Sequence, residues 1–272
     1  MIDSHIHLFR NGFWRDGGAR FLGRQTDADA YHALMVAQGI KGALVIGYGD
    51  DGIDPDNNAY LRHLADTYHW ISSLAFVRPQ TPLNGAELDQ ILDAGHDGIA
   101  VYLADAAAAT ALASWPAAAW QKLSDRRAII SLNARQWAMP ELAGAVAAAP
   151  DATFLFAHLG LPGPCHAATK VEAADRLAPL LSLAAAPNVG VKLSGLYALD
   201  PTPGYPGAQP FVELLIDVLG PERLFWGSDF SPVLEHSSVA DTLRLPSIER
   251  LDKAAQDAIM GGNLRRLLSA RL

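Results

Sequence analysis

Eight short apolar segments recur along the chain: Met1–His7, Gly42–Ile46, Trp70–Val77, Gly98–Leu103, Ala128–Leu132, Thr153–Ala157, Val189–Leu193 and Leu224–Trp226. Between them lie stretches with helical spacing: Ala28–Gln38, Asn58–Tyr68, Leu88–Ala94, Trp115–Ser124, Ala138–Ala149, Ala167–Ala185 and Phe211–Leu219. Three of these close on Gly39, Gly95 and Gly220, as helix C-termini tend to. Strands that alternate with helices pair in parallel through right-handed crossovers, and eight of them close a barrel. The pattern therefore predicts an α/β fold, a single (β/α)8 TIM barrel spanning residues 1–272. An open doubly wound sheet uses the same elements, but no GxGxxG follows the first strand. No linker rich in Ser, Gly or charge divides the chain, and no repeat of 20 to 50 residues shares a signature. The alanine runs Ala106–Ala109 and Ala117–Ala119 are strong helix formers and read as helix surface.

The stretches after the strands are long for βα loops: Arg10–Thr26, Arg78–Gly85, Leu159–Thr169, Ser194–Gln209 and Phe230–Ser238. In a barrel they gather at the C-terminal face, where active sites sit. Tyr197–Gly207, rich in Pro and Gly, reads equally as a lid edge or a surface loop.

The same face collects the polar residues that end strands. His5 and His7 stand two apart on strand one, so both imidazoles point to one side and can share a metal ion or a polarised substrate atom. His158 ends strand six and Asp229 ends strand eight, which closes against strand one and should bring Asp229 beside the histidines. Singly, His158 could cap the next turn and Asp229 could be an N-cap. Together they define a candidate site. Lys192, between Val191 and Leu193, points either into the barrel or toward a helix.

Composition narrows the function. A formal net charge of −8 argues against nucleic acid and against an anionic membrane surface as partners. The first residues carry no signal-like pattern, and no apolar run is long enough to span a membrane, so a cytoplasmic protein is expected. The one cysteine, Cys165, cannot form an internal disulfide, and its sequence neighbour His166 is not thereby a through-space base. The partner expected is a small molecule. A homodimer would be in keeping with barrel enzymes, which often pair through their helices.

At this point the chain resembles the amidohydrolase superfamily, in the amidohydrolase-2 branch that contains 2-pyrone-4,6-dicarboxylate lactonase and sugar-acid lactonases. The resemblance runs nearly end to end, through Asp3-Ser4-His5-Ile6-His7, Ala157-His158-Leu159-Gly160, Val191-Lys192-Leu193-Ser194-Gly195-Leu196, Trp226-Gly227-Ser228-Asp229 and Gly261-Gly262-Asn263-Leu264-Arg265-Arg266-Leu267. It implies that His5, His7 and Asp229 line one centre, that Asp229 is a general base toward water, and that His158 bonds to that centre. Metal-rich members of the superfamily carry a lysine or glutamate ending strand four and a histidine ending strand five. Tyr102 and Asn133 stand in those places here, which argues against a binuclear site.

His5, His7 and Asp229, with His158 as a fourth, suit one divalent ion, zinc first, bearing a bound water. The resemblance is equally compatible with a metal-free site in which the histidines polarise a carbonyl and Asp229 activates water. Arg78 and Arg135 are the leading candidates for a substrate carboxylate, ahead of Arg10 and Arg24. Tyr102, Asn133 and Ser194 are candidates for substrate hydrogen bonds. The leading expectation is a hydrolase that opens a lactone of a small polar or carboxylated compound. The alternatives are a metal-dependent decarboxylase of an unsaturated or aromatic acid and a barrel that binds a small ligand without turnover.

Overall fold

A computed structural model describes residues 1–12, 25–49, 53–166 and 168–270. Eight strands form one parallel sheet in sequential order: β1 (Asp3–Ile6), β2 (Ala43–Ile46), β3 (Ile71–Phe76), β4 (Gly98–Leu103), β5 (Ile129–Ala134), β6 (Thr153–Phe156), β7 (Val189–Leu193) and β8 (Leu224–Trp226). The sheet curls until the chain beyond β8 meets β1, where Ile6 bridges Phe230, Asp229 N donates to His5 O at 2.8 Å, and His7 N donates to Phe230 O. The result is the (β/α)8 barrel that the segment count predicts. Helices α1 (Asp27–Gln38), α2 (Asn57–Thr67), α3 (Gly85–Asp93), α4 (Ala106–Ala113), α5 (Ala117–Asp125), α6 (Met139–Ala148), α7 (Lys170–Leu183) and α8 (Gln209–Leu219) fill the crossovers. No described helix is long and apolar enough to cross a membrane.

Local chemistry sets the helix limits. Thr26, Asn84, Asp105 and Thr169 accept first-turn amides at the starts of α1, α3, α4 and α7, and Glu87 completes a capping box with Asn84. Gly39 ends α1 at φ 70°, a left-handed conformation that costs glycine nothing.

The alanine runs are split: Ala106, Ala107, Ala117 and Ala118 are on the helix surface as expected, and the other three are not. Ala108, Ala109 and Ala119 are buried, packed in the layer between barrel and helices. Small side chains there let α4 and α5 approach their neighbours closely.

Strand residues divide between two apolar layers. Ala43, Val45, Ile99, Val101, Phe154, Phe156, Val191 and Trp226 face the helices, while Leu44, Ile46, Leu74, Ala100, Ile129, Leu155 and Phe225 fill the interior with Leu264. Leu264 comes from the helix Asn263–Ser269, whose Leu267 and Leu268 pack on the same cluster and close the base of the barrel. Toward the other end the inward positions turn polar, which makes the barrel apolar below and chemically functional above.

β1 contains one irregularity that the alternation argument does not foresee. Asp3 pairs with Ala43 and Ile6 with Val45, so three steps on β1 match two on β2. This one-residue bulge puts Asp3 on the helix side while His5 faces inward. Buried Asp3 accepts from His5 N at 3.1 Å, Ser228 N at 2.9 Å and Tyr31 Oη at 2.8 Å, so one carboxylate ties β1, the end of β8 and α1 together. Asp3→Asn replaces an acceptor with a donor inside this brace. It should lower the unfolding free energy by about 2 kcal/mol, read from the urea midpoint, because a buried amide or hydroxyl loses its partner.

Candidate active site

β1, β6 and β8 deliver four side chains to the C-terminal mouth. Asp229 is buried, with Oδ1 3.6 Å from His5 Nε2 and 3.7 Å from His7 Nε2, and the two Nε2 atoms are 3.2 Å apart. His158 Nδ1 stands 4.0 Å from the other oxygen, Oδ2. His158 and Asp229 have positive φ, 53° and 60°, and Leu159, Gly160 and Leu161 continue the left-handed run. Non-glycine residues keep such conformations only where the surroundings enforce them, and they cluster at functional sites. Here His158 N and Nδ1 both contact Ser194 Oγ, at 3.3 and 3.1 Å, and Gln136 Nε2 donates to Gly160 O at 2.9 Å. Gly195 is required beneath, since a Cβ there would overlap His158 Nδ1.

A pocket of about 260 Å³ opens over this cluster, lined by His7, Phe9, Tyr48, Tyr102, Asn133, His158, Tyr197, Asp229 and Pro232. Tyr102 and Asn133 are paired across β4 and β5, both facing inward. The Tyr102 hydroxyl is buried with no hydrogen-bond partner among the described residues, and burial together with the nearby Asp229 charge holds it firmly protonated. A second pocket, about 210 Å³, shares His158 and is lined by Arg135 and the segments around Leu161–Pro164 and Leu196–Leu199.

The other sequence candidates lie elsewhere. Ser194 backs His158 and is absent from the linings of both pockets. Arg78 is exposed, 5.5 Å from the Phe76 ring and 3.4 Å from Gly49 O. Arg10 lies over Tyr60, and Arg24 lies outside the described residues. Cys165 is buried against Glu172.

Two residues enter that sequence reasoning did not assign. Tyr197 donates to Asp229 Oδ2 at 2.5 Å and stacks on His236, with ring centroids 4.6 Å apart. It heads the stretch read as a lid edge or surface loop, and this loop is tied down at the site. Lys192 points inward. Its buried Nζ donates to Ser131 Oγ at 2.8 Å and lies 3.4 Å from His5 Nδ1.

Burial governs the charges. Desolvation pushes His5 well below the usual imidazole range and His7 down to about 4, although Asp229 and the Ile46 carbonyl both favour protonated His7. Lys192 falls to about 7 by burial, with Asp3 and Asp229 pulling the other way.

The donor spacing bears on a metal. Ligands about 2.0–2.2 Å from a tetrahedral zinc are about 3.3–3.6 Å apart, close to the triangle formed by His5, His7 and Asp229. His5, His158 and Asp229 also offer donor atoms within 4.8 Å of one another. The donor set is thus of a size and chemistry to hold one small divalent ion.

The parallel barrel thus gathers two histidines from its first strand and an aspartate from beyond its last at the C-terminal mouth. The chain belongs to the amidohydrolase family, whose sequence profile matches residues 2–269. No curated protein matches the chain. Among solved structures, an amidohydrolase from Burkholderia multivorans with bound zinc is similar, at 23% identity and TM-score 0.76 over 98% of each chain. A probable 2-pyrone-4,6-dicarboxylic acid hydrolase from Acinetobacter baumannii, with citric acid bound, aligns at 17% identity and TM-score 0.74 over 98% of each chain. A 5-carboxyvanillate decarboxylase from Sphingomonas paucimobilis aligns at 12% and 0.63, again over 98% of each. At these identities the likeness is one of fold.

The buried histidines couple stability to pH. The folded state binds fewer protons than the unfolded chain wherever an imidazole is held below its ordinary 6.5. His7 therefore contributes fully above pH 6.5, and its contribution is lost between 6.5 and about 4. Metal-free protein should lose about 3 kcal/mol from His7 across this window. His7→Gln should flatten that part of the curve in urea titrations at stepped pH.

Proposed function

We propose that this protein opens the ring of a small lactone, with Asp229 as the general base toward water. The observation that carries this reading is a buried carboxylate whose Oδ2 is held by Tyr197 while Oδ1 faces the histidine pair at the pocket floor. Oδ1 takes a proton from water as the water oxygen bonds to the lactone carbonyl carbon. The carbonyl oxygen gains negative charge, and the unpartnered Tyr102 hydroxyl in the same wall supplies a donor for it. When the ring C–O bond breaks, the proton on Asp229 passes to the departing alkoxide, which leaves a hydroxy acid and the free base. His5 and His7 fix where Oδ1 sits, and His158 flanks Oδ2.

A divalent ion, zinc in the first instance, would be held by His5, His7 and Asp229 with His158 at the edge, and when bound it supplies a Lewis acid for the carbonyl. Phe9, Tyr48, Tyr102 and Tyr197 offer ring faces to a compact cyclic substrate, and Asn133 a side-chain amide. Arg135, which lines the pocket that shares His158, is the arginine we assign to a carboxylate on the substrate. Arg78 and Ser194 have weaker support as substrate contacts, since neither lines the pockets.

Proton release across a panel of sugar-acid lactones, muconolactones and pyrone carboxylates, with and without prior chelation, tests the reading. Acidification is expected with at least one member. Silence throughout, with carbon dioxide released from unsaturated or aromatic acids, would replace it with decarboxylation. Asp229→Asn should lower kcat by about 10²–10⁴-fold with an unchanged circular dichroism spectrum, and full activity in that variant would remove Asp229 as base. Tyr197→Phe frees Oδ2 and should cost about 10-fold or more in kcat with KM little changed. A change confined to KM would make Tyr197 a substrate contact instead.

A further inference from the structure

The second pocket, about 210 Å³, presents mostly carbon. Among the described residues Arg135 and His158 are the polar side chains in its lining, and the rest is leucine, proline, alanine and glycine. Leu159, Leu196 and Leu199 are buried, Leu161 is half-buried and Arg135 is exposed. Backbone groups of these walls already have partners. The Pro162 and Pro164 carbonyls accept from Arg176 Nη1 at 3.5 and 2.9 Å, the Leu199 carbonyl accepts from Cys165 N at 2.8 Å, and Leu161 N donates to His158 O at 2.9 Å. The two prolines have no N–H to offer. A hydroxyl placed against such walls gives up water with few partners in exchange, whereas a methylene gains by leaving water.

The pocket adjoins the candidate centre. His158 is common to both linings, and the short turn Leu196–Ala198 sends Tyr197 to Asp229 while Leu196 and Ala198 line the second pocket. A ring whose carbonyl lies over Asp229 can therefore carry a substituent past His158.

We propose that the second pocket takes a short hydrocarbon arm on the substrate ring, so that alkyl-substituted lactones are selected over polyhydroxylated ones. The inference rests on the lactone reading for the identity of the ring, and on the apolar walls for the arm. Leu161, Leu196 and Leu199 are specificity residues, touching the arm and none of the reacting atoms. The bond from Cys165 N to Leu199 O ties the two wall segments together before a ligand arrives, which keeps the ordering cost of binding low.

Two series on the full chain test it. Proton release gives kcat/KM for five-membered lactones with arms from methyl to hexyl, and for a polyhydroxylated lactone of the same ring size. Calorimetry gives Kd for cyclopentanones with the same arms, whose ring carbonyl has no ester bond to open. Both series should improve about fourfold per methylene and level off once the arm fills the pocket. A flat cyclopentanone series, or a higher kcat/KM for the polyhydroxylated lactone, would overturn the proposal. Cyclopentanone binding that tightens with arm length, without proton release from any lactone, would support the arm pocket and remove the lactone reading. Leu161→Asn puts an amide in the wall at φ 51°, a conformation asparagine accepts readily. It should cut the affinity advantage of the hexyl over the methyl cyclopentanone by about 10-fold or more, and an undiminished advantage would count against the pocket. Should that variant fail to fold, the two series on the unaltered protein decide alone.

Discussion

The seam between β8 and β1 is the constraint on which the rest depends. Its hydrogen bonds join residues more than 220 positions apart: Asp229 N to His5 O, His7 N to Phe230 O, and Ser228 N to the Asp3 carboxylate. The same few atoms close the barrel and bring Asp229 to the histidines, so the fold and the candidate site are one construction. The bulge in β1 makes both uses compatible, turning Asp3 outward as the brace and leaving His5 and His7 inward. The left-handed backbone at Asp229 and His158 is held in place by that frame.

Above this seam the barrel changes character along its axis. Its lower interior is aliphatic and sealed by Leu264, whereas the next inward layer holds Lys192, Ser131 and His5 bonded to one another. Buried polar groups are costly unless paired, and here each finds a partner within the layer. The histidines consequently rest on a polar floor.

The eight strands, their order and the convergence of His5, His7, His158 and Asp229 were legible because strand periodicity and barrel closure depend on pattern alone. What escaped depends on pairings far apart in sequence. Lys192 could not be oriented, because parallel barrel strands are buried on both faces and their alternation disappears. Tyr197 could not be tied to Asp229 while its loop had no fixed path, and Ser194 could not be seen turning toward His158. The buried alanines Ala108, Ala109 and Ala119 escaped for a related reason: a good helix former says nothing of what the helix packs against. Arg78 and Arg135 looked equivalent as residues beyond strand ends, yet among the described residues it is Arg135 that lines a pocket with His158.

His158 stands at the corner where two pockets meet; the Leu161–Pro164 segment lines one of them away from Asp229, whereas the Leu196–Leu199 segment lines it too but carries Tyr197, which donates to Asp229. A substitution in the first segment can therefore reshape a wall and leave the carboxylate undisturbed, while one in the second moves wall and carboxylate together.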